Sequence, residues 1–320
     1  MMKKRSSKRI AGVLHHITSL PGPYGIGDLG EQAYTFVDWM RSCGLRLWQV
    51  LPINPIHRGS MYSPYSSPSA FAGNVLLISP DKLFQEGWIS RQDLKKKPRF
   101  LTNATDYQRA EKFKISLLDK AFNRFNSMPR KPASFSRFVD ANRHWLADYA
   151  CFCVLKDLYP HKKWSQWPVS LRLHDEEALG SVVQSHVQSI MKVQFKQYLF
   201  YKQWGELRHY ATTNNVSLMG DLPIYVNFDS ADVWGGRLNF QLNKYLRPKY
   251  VAGVPPDYFS ENGQRWGNPV YDWPAMKKDG FNWWVRRVAH QKTLFDYIRI
   301  DHFRGLVKYW RIDAKNKTAK

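Results

Sequence analysis

Four short apolar segments, each running into a polar or glycine-rich loop, constrain this chain more than anything else in it. They lie at residues 10–20 (IAGVLHHITSL), 47–52 (LWQVLP), 216–225 (VSLMGDLPIY) and 297–301 (YIRID). A helical pattern at 31–42 (EQAYTFVDWMRS), ending near Gly44, separates the first two, and another near 281–296 leads into the last. Strand, helix, strand over roughly 40 residues is the βα unit of a parallel sheet. Polar loops at the C-terminal ends of such strands are where a (β/α)8 TIM-type barrel places its chemistry. The fold class implied is α/β of that type, with four strands visible where a closed barrel has eight.

The last segment carries the sharpest chemical signal. Side chains alternate along a strand, so Ile298 and Ile300 face one apolar layer while Arg299 and Asp301 share the other. The Arg299 cation favours the ionised form of Asp301. A carboxylate held so, at a strand's C-terminal end, suits a nucleophile. It equally suits a structural ion pair, and this stretch alone does not choose. The third segment also ends near a carboxylate, Asp221.

Residues 1–9 read as a basic disordered tail. Residues 80–210 break the strand rhythm: they are basic and helical, with helices expected near 106–126, 135–159 and 174–212, and read as an insertion. Trp164, Trp167 and Trp204 within it read as core. Two long polar, aromatic loops follow strands, at 54–74 and 229–274; the second lacks helical or strand periodicity. Long unstructured loops in compact domains are usually functional. Gly25, Gly27 and Gly30 mimic a dinucleotide fingerprint, but a Pro/Gly turn precedes them where a strand belongs, so no nucleotide is expected.

The chain has 320 residues, a formal net charge of +22 and 15% aromatic residues. The charge raises the question of a polyanion, but no zinc-finger, basic-zipper or RNA-recognition spacing accompanies it, so no nucleic-acid partner is expected. Cys43, Cys151 and Cys153 make no disulfide framework. With no signal peptide and no span of roughly 20 apolar residues, the expectation is a cytoplasmic protein without membrane association. His15 and His16 point to opposite faces of a strand; no metal site and no cofactor are implied.

Several long motifs, in order, resemble the 4-α-glucanotransferases known as amylomaltase or disproportionating enzyme, glycoside hydrolase family 77. They are ITSLPGPYGIGDLG (17–30), LWQVLPINP (47–55), SPYSSPSAFAGN (63–74), GDLPIYV (220–226), DSADVW (229–234), VAGVPPDYFSENGQRWGNPVYDW (251–273) and IRIDHFRG (298–305). The resemblance implies a retaining transfer of an α-1,4-glucan segment to the 4-hydroxyl of an acceptor glucan or glucose. It places Asp301 on the family's nucleophile, Arg299 on the arginine that orients it, and Asp221 on a supporting aspartate. It makes Tyr65 a ring that stacks on the reacting sugar. Ser63, Asp257, Trp266, Asn268 and His302 fall among the glucan contacts, and residues 229–274 become a substrate-covering region. Its implied partners are maltooligosaccharides, amylose and glycogen.

Retention needs a second carboxylic acid about 5–5.5 Å from the nucleophile. In the family that acid is a Glu on the next strand, which the resemblance does not find before Lys320. Glu261 lies in the covering region, at a position where the family has no catalytic acid, and Asp313 has no supporting motif. The expectation is therefore the N-terminal part of an amylomaltase, truncated and inactive alone, with a separately encoded C-terminal half as one conceivable partner. The alternative is a catalytically dead glucan-binding fragment.

Overall fold

The computed structural model describes residues 9–320; the basic tail read at 1–9 lies, but for Arg9, outside them. In chain order the elements are β1 (Gly12–Leu14), α1 (Glu31–Ser42), β2 (Leu47–Gln49), α2 (Pro80–Gln85), α3 (Arg91–Lys95), α4 (Tyr107–Ser127), α5 (Ala133–Leu158), α6 (Val169–Arg172), α7 (Glu176–Ser185) and α8 (Val187–Thr213). Then come β3 (Ser217–Leu222), α9 (Ala231–Gly235), β4 (Tyr250–Val254), β5 (Gln264–Pro269), α10 (Trp273–Lys278), α11 (Asn282–Leu294), β6 (Tyr297–Ile300) and β7 (Trp310–Asp313).

The four expected strands form one parallel sheet in the order β1-β2-β3-β6. The chain is thus α/β with a parallel sheet. Leu14, Gln49, Met219 and Tyr297 are successive register partners and make one row across it. The alternate positions Trp48 and Leu218 are fully buried against the helices. Leu14 and Tyr297 are 56% and 47% exposed, so the sheet has a helix-covered face and an open one. Pro223, with no N–H to give a ladder, follows the last residue of β3.

Helix α1 forms where periodicity placed it. Ala33, Val37 and Met40 recur on one face and are buried, the spacing of a core-facing stripe. Glu31 in the first turn and Arg41 in the last oppose the helix dipole, and Gly44 takes the left-handed φ of +71° that ends it.

Three expectations need correction. Residues 10–20 are not one strand: pairing stops at Leu14, and Ile17–Ser19 make a 3-10 turn. The apolar run continues because Ile17 and Leu20 are core, while the Thr18 carbonyl accepts from Gly27 N and folds the chain back. The helix expected at 174–212 is two, broken at His186, whose ψ of 31° leaves the helical region. Third, residues 229–274 are not without strands. β4 pairs antiparallel with both β5 and β7 in a second, three-stranded sheet. Glycine and proline had masked it, and its third strand lies far along the sequence.

Trp164, Trp167 and Trp204 are all buried. No helix among the described residues is long and apolar enough to cross a membrane.

Candidate functional site

The site forms at the C-terminal ends of β3 and β6, on the open face of the parallel sheet. Asp221 and Arg299 are directly opposite in the β3–β6 register, so their side chains leave the sheet together. Arg299 Nη1 donates to Asp221 Oδ1 at 2.6 Å, and Nη2 donates to Asp301 Oδ1 at 2.7 Å. One guanidinium fork therefore holds two carboxylates, a geometry a lysine cannot reproduce. The Asp301 backbone is fixed as well, its N–H donating to the Leu222 carbonyl at 3.0 Å.

The two acids differ in environment. The Asp221 side chain is 1% exposed and that of Asp301 38%. Asp221 Oδ2 accepts from the Tyr65 hydroxyl at 2.7 Å, so both its oxygens are engaged. Asp301 is the more open of the two to solvent. Burial, then the bond to Asp221, pushes the Tyr65 hydroxyl well above the ordinary phenol range. The bond to Asp221 is likewise the main reason Arg299 holds its proton more firmly still.

Tyr65 sits on a loop with little regular structure, and buried polar side chains pin that loop. Ala70 N–H donates to Asp232 Oδ2 at 2.7 Å and Ala231 N–H to the Pro68 carbonyl. Gln197 both accepts from Gly73 N–H and donates to its carbonyl, and the Tyr201 hydroxyl donates to the Phe71 carbonyl. Buried backbone groups need such partners. Arg287 does the same for the turn after β3, donating to the Pro223 and Ile224 carbonyls. Sequence reasoning singled out none of Asp232, Gln197 or Arg287. Asp232 lay in the DSADVW motif; Gln197 and Arg287 gave no signal.

Of the other candidates, Trp266 and His302 come together, rings edge-on at 5.2 Å, with Tyr225 6.1 Å from the tryptophan. His302, in the left-handed region at φ 52°, follows Asp301 directly. Asn268 is spent on structure: its side-chain amide donates to the Val226 carbonyl at 2.9 Å. Ser63 Oγ accepts from Tyr65 N–H at 3.4 Å. Among the described residues, Asp257 is not brought into the cluster by any bond; its carboxylate accepts only from Phe259 and Ser260 within its own turn. Asp313 Oδ1 caps Lys315 N–H. Among the described residues, no group of three or more His, Cys, Asp or Glu side chains could hold a metal ion.

Residues 15–320 match the family model described as 4-alpha-glucanotransferase, glycoside hydrolase family 77. The chain belongs to this family. It is 45% identical over 311 residues to a 4-alpha-glucanotransferase of Aquifex aeolicus, covering 97% of this chain and 62% of that protein. It is 43% identical to the chloroplastic/amyloplastic 4-alpha-glucanotransferase of Solanum tuberosum, over 98% of this chain and 55% of that one. Among solved structures it superposes on the amylomaltase from Streptococcus agalactiae in complex with acarbose, with a TM-score of 0.92 and 39% identity, covering 98% of this chain and 63% of that one. This member of the 4-alpha-glucanotransferase family thus spans about 55–62% of the length of those two curated relatives. The Tyr65–Asp221–Arg299–Asp301 cluster lies within the matched residues.

Proposed function

We propose that this chain supplies the nucleophile side of a 4-α-glucanotransferase that acts on α-1,4-glucans. The observation that carries this reading is the Arg299 fork, which presents Asp301 to solvent while holding Asp221 buried. Asp301, aimed by the fork, attacks the anomeric carbon as the glycosidic C1–O4 bond breaks, forming the glycosyl-enzyme and releasing the leaving glucan, whose 4-oxygen takes a proton from the donor the pathway requires. Arg299 orients it. Asp221 is the fixed anion that, with Tyr65, stiffens the fork. Tyr65, Trp266 and His302 line the place where glucose units lie, and Ser63 and Asn268 hold the loops that shape it. Asp257 serves as a glucan contact from the exposed tip between β4 and β5. That hairpin covers the acceptor side, and excluding water there favours a sugar acceptor over hydrolysis. The parallel strands are, on this reading, four consecutive members of a (β/α)8 barrel. The helical stretch at about 80–210 is an insertion within it.

The retaining pathway also needs a proton donor about 5–5.5 Å from the nucleophile. Asp221, engaged through both oxygens by Arg299 and Tyr65, is not free for that role. The donor therefore comes from outside the cluster, from another segment or from a separate polypeptide. The same observation supports the second reading, a glucan-binding protein without turnover. The unpaired cysteines Cys43, Cys151 and Cys153 accord with a reducing, cytoplasmic setting.

The test is maltoheptaose binding by calorimetry beside glucose release from maltotriose. Saturable binding that is lost in Tyr65→Ala and Trp266→Ala is expected. Glucose release abolished by Asp301→Asn selects the transferase reading, and binding without release selects the second. Absence of saturable binding sinks both.

A further inference from the structure

The strand that carries Trp266 toward Asp301 has a second face. Neighbouring side chains on a strand leave it on opposite faces, so Arg265, next to Trp266 on β5, points away from the catalytic cluster, with the left-handed backbone of Gly267 (φ +82°) close by. They border a groove of about 960 Å³ between the three-stranded sheet, the 227–229 turn and the start of the 3-10 turn at Trp164. Five cations line it: Lys163, Arg247, Lys249, Arg265 and Lys315. All five are exposed, and among the described residues none makes an ion pair, although Lys82, Lys114, Lys120 and Lys156 elsewhere all do.

The groove's two acids do not neutralise them. Asp229 is occupied by Lys156 Nζ at 2.7 Å and by Trp164 N–H at 3.0 Å. Asp313 accepts from Lys315 N–H. Five cations against two acids leave a formal excess of three positive charges on the lining. A concave surface of one sign concentrates the opposite ion. Guanidinium and ammonium groups that outnumber the carboxylates are suited to phosphate, which arginine grips through two parallel bonds; Arg265 already donates one Nη2 bond, to the Ala314 carbonyl. The floor is not purely ionic. Phe228 and Tyr250 offer half-buried rings, Tyr250 with Arg311 over one face, and Asn227 and Asn243, whose side-chain oxygens already accept backbone N–H groups, offer amide N–H donors, the mixture that sugar rings need for stacking and hydroxyl recognition.

We propose that this groove binds α-glucan chains carrying phosphate monoesters, seating the phosphates on Arg247, Lys249 and Arg265 behind the strand that bears Trp266. This rests on the glucan-binding reading above and specifies which glucans the protein prefers. A phosphorylated chain held there lies one strand's thickness from the Trp266 face.

The experiment is native-gel retardation of the 320-residue chain in a phosphorylated amylopectin and in the same polymer after enzymatic dephosphorylation. Retardation at least about threefold stronger in the phosphorylated polymer is expected, with the difference collapsing near 0.5 M salt as screening sets in. Arg247→Gln/Lys249→Gln/Arg265→Gln should lose the preference yet keep its retardation in the dephosphorylated polymer. A control of equal charge loss, Lys95→Gln/Lys96→Gln/Lys97→Gln, should keep it. All six are exposed, so the fold is not at stake. Equal retardation in both polymers overturns the groove proposal alone, as does a control that loses the preference equally. No retardation in either polymer overturns the glucan reading itself. Displacement by single-stranded DNA, at matched phosphate content, more readily than by the phosphorylated amylopectin would make the groove a nucleic-acid site and overturn the proposal.

Discussion

Asp221 and Arg299 stand opposite each other on adjacent parallel strands, 2.6 Å apart between Oδ1 and Nη1, and the aspartate is the buried member. Removing the arginine leaves a carboxylate that water cannot reach easily, with Tyr65 as its remaining side-chain donor. Arg299→Met should therefore cost about 1–3 kcal/mol, below the full value for breaking a buried pair because Arg299 is itself half exposed. Asp221→Asn added to it should recover much of that. Urea denaturation of the two single variants and the double variant measures the coupling. Additivity within about 0.5 kcal/mol would mean that the fork does not sustain Asp221.

The contrast between Arg299–Asp301 and Arg299–Asp221 shows what the sequence could and could not reveal. The first pair is two residues apart on one strand, and alternation alone puts both on one face. The second depends on the β3–β6 register, which joins positions 78 residues apart and which no local pattern encodes. The same reason hid the second sheet: β7 pairs with β4 across about sixty residues, and Gly253 and Gly267 interrupt the apolar alternation that marks a strand. Helix α1 was legible because its stripe, end charges and terminal glycine agree within fourteen residues. Asp257, by contrast, sits in a conspicuous motif, and its side chain serves its own turn.

Asp232 predicts a pH signature. Burial is the chief reason its carboxyl is pushed up to about 6, with the Ala70 N–H bond opposing. An unfolded aspartate titrates near 3.9, so between those values the folded chain binds the proton more tightly. Stability from this group is thus fully present below about pH 4 and is lost as pH rises through 6. Asp232→Asn keeps an oxygen for Ala70 and removes the buried charge. Its stability should exceed the parent's at pH 8 by on the order of 2–3 kcal/mol and match it near pH 4. Thermal denaturation across that range decides, and a pH-independent difference would refute the assignment.

Lys114 and Asp28 form the most enclosed ion pair, 2.7 Å long, with side chains 2% and 12% exposed. Burial raises the Asp28 carboxyl and lowers the Lys114 ammonium, in each case outweighing the partner's charge. The pair is thus costly to build and costlier to break. Lys114→Ala strands Asp28 and the Ile78 carbonyl that Lys114 also reaches, and should cost about 3–5 kcal/mol. Asp28→Asn/Lys114→Met removes both charges and fills the space, and should lie clearly closer to the parent. Equal losses in the two variants, read from urea midpoints, would rule this out.

Gly220 precedes Asp221 on β3 and faces the helix side, where an added Cβ would run into the Phe295 ring. Backbone and ring cannot share that space, so Gly220→Ala must push Phe295 and the strand apart. The expected cost is about 1–3 kcal/mol. Because Gly220 pairs with Ile298 in the register that sets Asp221 against Arg299, the displacement should also weaken maltoheptaose binding. Phe295→Ala alone opens a cavity and costs about 3–5 kcal/mol. Combined, the methyl enters the vacated space, so the double variant should be more stable than the sum of the singles. Simple additivity in thermal denaturation would show that the strand, not the ring, absorbs the methyl, and that β3 is softer beside the site than its packing implies.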